Sequence, residues 1–220
     1  MSDNFIYQPP ESPIEILYQD KDVLVAHKPS GLLSVPGRTK ERADSMLFRL
    51  QKLEPRTRVV HRLDMDTSGV MIFALRKKAE INLREQFRKR EVSKEYRAVV
   101  EGLIEQKEGV IDAPIAPHPK QKLRHYVSEK GKPSRTRYWV IEEGDDCSLI
   151  GLQPITGRSH QLRVHLHHIG HPILGDRFYA PLEVVRRTDR LMLHAETIVF
   201  KQPYSGEELA FVVPASFLVV

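Results

Sequence analysis

Short apolar runs joined by tight polar connections dominate this chain, and they leave little room for a parallel sheet, whose strands need crossovers of about a dozen residues or more. "IEILYQDKDVLVAHKPSG" reads as a strand, a turn at Asp20 to Asp22 and a second strand over Val23 to Ala26, stopped by "KPSG". "TRYWVIEEGDDCSLIGLQP" repeats the pattern with a turn at Gly144 to Asp146, and "LMLHAETIVFKQPYSGEELAFVVP" with one at Pro203 to Gly206. "KEYRAVVEG" has period two, with Tyr96, Ala98 and Val100 on one face. Helical patterns are fewer. In "LRKKAEINLREQFRKREV" the residues Leu75, Ala79, Leu83 and Phe87 form a stripe. Leu47, Leu50 and Leu53 suggest a helix over Asp44 to Lys52, with Pro55 beyond its end. "SHQLRVHLHHIG" predicts a short helix with Leu162, Leu166 and Ile169 inward and Gly170 supplying a left-handed end. This order predicts an α+β fold around a mainly antiparallel sheet.

The polar, proline-rich start "MSDNFIYQPPESP" predicts a flexible tail over residues 1–13, and residues 14–217 are expected to form one domain. The chain has 40% hydrophobic and 29% charged residues, which suits a globular protein. No signal-peptide pattern opens it, and no apolar run reaches the ~20 residues of a membrane helix. Cys147 is the only cysteine, so an internal disulfide or a cysteine zinc cluster is excluded and a reducing compartment is favoured. The expectation is a cytoplasmic monomer with no membrane partner. A formal net charge of +5 favours a polyanionic partner.

Five histidines, His160, His165, His167, His168 and His171, crowd one segment. His167 and His171 have the i, i+4 spacing of a helical ligand pair, but Gly170 and Pro172 end the helix there, and no carboxylate follows until Asp176. No metal site is expected. Glycine-rich nucleotide loops and a G-x-S-x-G elbow are absent, which disfavours a nucleotide cofactor and serine catalysis. Basic residues are more telling. Lys120, Lys122 and Arg124 lie in a proline- and lysine-rich stretch, Asp112 to Pro133, which predicts an exposed basic loop or hairpin. With His118, His125 and Tyr126 among them, they suit a phosphate backbone with unpaired bases, hence RNA rather than duplex DNA.

Between two buried-strand runs, "VVHRLDMDTSGVMIFAL" sets His61, Arg62, Asp64 and Asp66 in a turn closed by Gly69. A paired-carboxylate role for Asp64 and Asp66 needs a separation of about 5–9 Å that i, i+2 residues of an irregular loop do not guarantee. One activated carboxylate, kept ionised by a nearby arginine, is the simpler reading; which arginine, spacing leaves open.

At these residues the chain resembles the RluA family of pseudouridine synthases. "HRLDMDTSGVMIFA" is similar to the family signature around its catalytic aspartate. "KPSGLLSVPG", "KEYRAVVEG", "PITGRSHQLRVHL" with "GHPILGDRFY", and "LMLHA" agree in order, from about Ile14 to Phe217. The resemblance implies a mixed, mainly antiparallel sheet with a central cleft and flanking helices, without a separate S4-like domain. It implies no metal and no cofactor, and structured RNA as partner, with 23S rRNA and tRNA anticodon stem-loops as substrates. It assigns Asp64 the cleavage of the uridine N1–C1′ bond and rejoining through C5, whether by attack at C1′, attack at C6 or removal of the C2′ proton. It also makes Tyr96 the aromatic that packs on the base, Arg163 the partner of the aspartate and Leu162 an apolar wall. Arg62 would fill the stack left by a flipped base, His61 joins the RNA contacts, and Asp66 becomes a turn residue. Two other activities share these motifs' chemistry, RNA binding without catalysis and a uridine glycosylase or hydrolase; the latter would release free uracil.

Overall fold

The computed structural model describes residues 6–217, and the chain forms two compact units. The first comprises residues 6–92 with Ile198–Val213; the second comprises Ser93–Thr197 with residues 214–217 of the described range.

In the first unit, β1 (Glu15–Gln19), β2 (Val23–Lys28), α1 (Met46–Leu53), β3 (Arg58–Val59), β4 (Ser68–Ala74) and α2 (Lys77–Lys89) follow in order. β1 pairs antiparallel with β2, and β2 with β4 in the register Val23↔Ala74 to Lys28↔Gly69. Asp20 makes the first turn, its Oδ1 accepting the N–H groups of Asp22 and Val23 at 2.7 and 2.6 Å. Alternate residues Val23, Val25, Val70, Ile72 and Ala74 pack with Ala79 and Leu83 of α2. Leu24, Ala26, Met71 and Phe73 are equally buried, so these strands are covered on both faces and read as continuous apolar runs.

Leu75, expected in the stripe of α2, lies before the helix, because its N–H donates to the Asp22 carbonyl at 2.8 Å. Gln86 takes a buried position instead, its amide exchanging two hydrogen bonds with the main chain of Lys201. α1 starts later than expected, at Met46, with the Ser45 hydroxyl accepting the Phe48 N–H. It buries Met46 and Leu50, an i, i+4 pair, so Leu53 is left 66% exposed rather than inward.

Residues 1–5 of the expected flexible tail lie outside the described residues. Residues 6–13 have no regular structure, yet Tyr7 is buried and accepts the Leu33 N–H at 2.9 Å while donating to Asp44 O at 3.0 Å. Arg49 donates to the carbonyls of Pro10 and Ser12.

In the second unit come β5 (Ser93–Glu101), β6 (Glu108–Asp112), β7 (Ile115–Pro117), β8 (His125–Val127), β9 (Arg135–Glu143), β10 (Cys147–Pro154), α3 (Gln161–His168) and α4 (Leu182–Val185). β5, β10, β9 and β6 pair antiparallel in that order, and β7 and β8 form a separate hairpin within the basic stretch. β11 (Leu193–Lys201) begins in this unit and ends in the first, where β12 (Glu208–Val212) follows and pairs with it. The period-two reading of β5 holds: Ala98 and Val100 join one apolar cluster with Tyr96 against it, and Val99 joins another. α3 ends as expected, with Gly170 at φ +88°. The architecture is α+β with a mixed, mainly antiparallel sheet. No helix of the described residues is long and apolar enough to cross a membrane.

Candidate active site

Asp64 sits on the connection from β3 to β4, where the chain has no repeating hydrogen bonds to hold it. The segment after β2 supplies them. Lys28 is fully buried and its ammonium donates to three carbonyls, Pro29 at 2.9 Å, Leu32 at 2.7 Å and Met65 at 2.8 Å. All three ammonium protons are therefore matched by main-chain acceptors, two on its own turn and one beside the aspartate. The Ser30 hydroxyl donates to Asp66 O at 2.6 Å, and the Gly31 N–H to Met65 O at 3.0 Å. The Ser34 hydroxyl donates to Leu63 O at 2.7 Å and accepts the Leu63 N–H at 3.1 Å. Every residue flanking Asp64 is thus bonded by "KPSGLLS". Thr67 N–H donates to Asp64 O at 3.2 Å to close the turn, and Gly69, at φ +123°, turns the chain into β4 through a conformation that side chains disfavour.

On the same loop, the His61 Nε2 accepts the Ile72 N–H at 3.0 Å, which puts the ring proton on Nδ1, and the ring stacks on Phe87 at 4.7 Å. One face and one nitrogen of His61 therefore serve the fold. Arg62 is exposed and makes no ion pair or hydrogen bond among the described residues. Asp66 is half-buried, with its carbonyl used by Ser30 as a turn residue's would be.

In the second unit, Arg163 and Leu162 project from α3. Arg163 is only 2% exposed, and its guanidinium holds the Asp176 carboxylate bidentately, Nε to Oδ2 at 2.8 Å and Nη2 to Oδ1 at 2.7 Å. Asp176 Oδ1 also accepts the N–H groups of Phe178 and Tyr179, at 2.9 and 3.3 Å. The guanidinium carbon lies 5.1 Å from the Phe178 ring centre and 5.3 Å from that of Tyr179. A cation so enclosed keeps one orientation. Gly175 permits this turn, because its φ is +74° and a Cβ there would meet Arg190 O at 2.1 Å. Asp176, Phe178 and Tyr179 were not among the site residues expected from sequence. Their one signal is "GHPILGDRFY", whose carboxylate follows the arginine by 13 residues.

Tyr96 and Leu162 meet in one apolar cluster, with Leu152 opposite Tyr96 on β10. Lys94, two residues before Tyr96 on β5, has its ammonium pKa pushed down by burial. Lys120, Lys122 and Arg124 lie in the connection between β7 and β8, apart from that cluster; the first two are exposed. Two members of the histidine-rich segment serve structure. His165 is buried, with Nε2 facing Ala113 O at 2.9 Å and Nδ1 facing the Thr136 hydroxyl at 2.9 Å, and His171 Nδ1 bonds Glu101 O at 2.8 Å. No group of three or more His, Cys, Asp or Glu among the described residues is arranged to hold a metal ion.

The family model described as RNA pseudouridylate synthase matches residues 22–168. The dual-specificity RNA pseudouridine synthase RluA of Escherichia coli (strain K12) is 49% identical over 96% of this chain and 98% of its own length. RluA of Vibrio cholerae (serotype O1) is 47% identical over 96% of this chain and 87% of its own length. The solved structure of human RNA Pseudouridylate Synthase Domain Containing 1 covers 96% of this chain and 88% of that one, with 32% identity and a TM-score of 0.82. With an aspartate-bearing loop locked by main-chain bonds, and with these relatives matched over nearly their full length, the chain belongs to the RNA pseudouridylate synthase family and is an enzyme that isomerises uridine in RNA.

Proposed function

We propose that this chain converts specific uridines to pseudouridine in more than one structured RNA, namely 23S rRNA and tRNA anticodon stem-loops, with Asp64 as the catalytic carboxylate. The observation that carries this reading is the clamp on the Asp64 loop, in which Lys28, Ser30, Gly31 and Ser34 bond the main chain on both sides of the aspartate. A carboxylate held on irregular backbone by so many bonds is pre-organised for one task. The near full-length similarity to dual-specificity enzymes supports the choice of two RNA classes.

In the reaction the N1–C1′ bond of uridine breaks, the uracil turns in place, a C5–C1′ bond forms, the C5 proton leaves to water and N1 takes up a proton in its place, so that the product is an isomer of the substrate. Asp64 drives the cleavage. Arg163, oriented by Asp176, is its cationic partner; Tyr96 packs on the detached base and Leu162 walls it. Arg62, which is exposed, fills the stack when the uridine flips out, a step costing a few kcal/mol. Lys120, Lys122, Arg124 and the outer edge of His61 contact the RNA. The enzyme works as a cytoplasmic monomer and needs no cofactor.

The test uses RNA tritiated at uridine C5. The chain is expected to release label to water from both an anticodon stem-loop and a 23S rRNA fragment, and Asp64→Asn to abolish release while binding RNA as before. No release from either RNA would overturn the substrate assignment. Release surviving in Asp64→Asn would overturn the site.

A further inference from the structure

The second unit holds a cavity of about 590 Å³ lined by the β7–β8 hairpin, α3 and the segment after Asp176. Tyr96, Leu162 and Arg163 are not among its lining residues. Its volume falls within the roughly 300–1,000 Å³ of small-molecule sites. Seven of its eleven lining residues carry rings, which sets it apart from an ordinary surface cleft. His118 and Tyr126 meet edge to face at 5.5 Å, as do Phe178 and Tyr179 at 6.3 Å. The Arg124 guanidinium carbon lies 6.0 Å from the Phe178 ring centre. Exposed Lys120 and Lys122 stand on the same connection.

Two of these rings, His118 and Tyr179, are held by hydrogen bonds of their own. His118 Nδ1 accepts the N–H groups of Lys120 and Gln121 at 3.2 and 3.0 Å, and the turn is closed by His118 N–H to Arg124 O at 2.9 Å. The Tyr179 hydroxyl accepts the His125 N–H at 3.0 Å and bonds His160 Nδ1 at 2.7 Å. Rings so fixed lose little freedom when something stacks on them. Aromatic walls with a cationic rim select a planar, π-faced, anionic ligand, which is the chemistry of a nucleotide. A free di- or triphosphate is a poor match, because no glycine-rich main-chain cradle is present and the cations sit singly along a hairpin, as suits a polymer backbone.

We propose that this cavity takes the base of a second unpaired nucleotide of the RNA substrate, one that is not isomerised, with its flanking phosphates on Arg124, Lys120 and Lys122. The inference rests on RNA being the substrate, as argued above. Phe178 and Tyr179 line the cavity and also flank the Arg163 guanidinium, so a base stacked on them lies one side chain from that arginine. The cavity thereby makes the identity and unpaired state of a remote nucleotide part of substrate choice.

The experiment is a cycle between protein and RNA, read as affinity rather than turnover. An anticodon stem-loop transcript is made with an abasic residue at each unpaired position in turn, and binding is measured to the unmodified chain, to His118→Ala with Tyr126→Ala, and to Tyr126→Phe. Among the described residues, no hydrogen bond or ring contact joins these side chains to Asp176 or Arg163. At one position other than the isomerised uridine, base removal is expected to weaken binding about tenfold in the unmodified chain and in Tyr126→Phe. The same removal is expected to have little further effect in the double variant. Equal sensitivity of all three proteins at every position would overturn the proposal. So would millimolar-or-tighter binding of AMP or UMP that the double variant abolishes while every abasic RNA binds alike, because the ligand would then be a free nucleotide. Failure of tritium release in the unmodified chain bears on the proposed function and leaves this affinity cycle readable.

Discussion

Lys28 is the residue on which the Asp64 loop most depends. A fully buried ammonium costs several kcal/mol of lost hydration unless its donors are matched, and here three carbonyls match them. Lys28→Met keeps the length of the side chain and leaves those carbonyls without their donor. It is expected to lower stability by about 3 kcal/mol, measured by urea unfolding, and to cut tritium release further than any remaining loss of folded protein explains. His165 has the opposite character, a buried base kept neutral. Burial, the largest influence, pushes its pKa below the ordinary 6.5, against the bond to Ala113 that raises it. The unfolded chain therefore takes up this proton more readily than the folded one. The stability from His165 is complete above about pH 6.5 and is lost as pH falls from there towards the lower folded value. His165→Gln is expected to flatten the pH dependence of the melting temperature between pH 7 and 5, relative to the unmodified chain. A slope unchanged by the substitution would count against it.

At the scale of elements, α1 shows how a helix can fasten chain that has no regular structure. Arg49 reaches Asp44 bidentately, Nε to Oδ1 at 2.8 Å and Nη2 to Oδ2 at 2.6 Å, and donates to the Pro10 and Ser12 carbonyls. The Arg49 hydrogen bond is the first cause of a lowered Asp44 pKa. Because that folded pKa is depressed, its contribution is present above pH 3.8 and lost as pH falls below it. Arg49→Met is expected to speed amide exchange and proteolytic cleavage within residues 6–13 while leaving α2 protected. Proline and polar composition suggest a loose tail at these positions, since the anchoring arginine lies some forty residues away and no local pattern announces it. The strands and α2 are legible in the sequence for the converse reason. Their side-chain periodicities, two and 3.6, are local properties that tertiary contacts reinforce.

At the scale of the whole molecule, the net charge of +5 becomes meaningful only where it concentrates. Lys120→Ala with Lys122→Ala removes two exposed cations from the β7–β8 connection. RNA affinity is expected to fall, and the slope of log affinity against log salt to become shallower by about one to two. Unchanged affinity from low to high salt would mean that these lysines only solvate the surface. The linear order of residues already carried the α+β class, the hairpins, the short α3 with its glycine end and the family signature around Asp64, because each rests on neighbours in the chain. It did not disclose that Lys28 holds the Asp64 loop, that Asp176 fixes Arg163, or that His118, Tyr126 and Phe178 share a cavity. Those depend on residues 13 to 60 positions apart, and burial together with hydrogen-bond satisfaction, not local pattern, selects such partners.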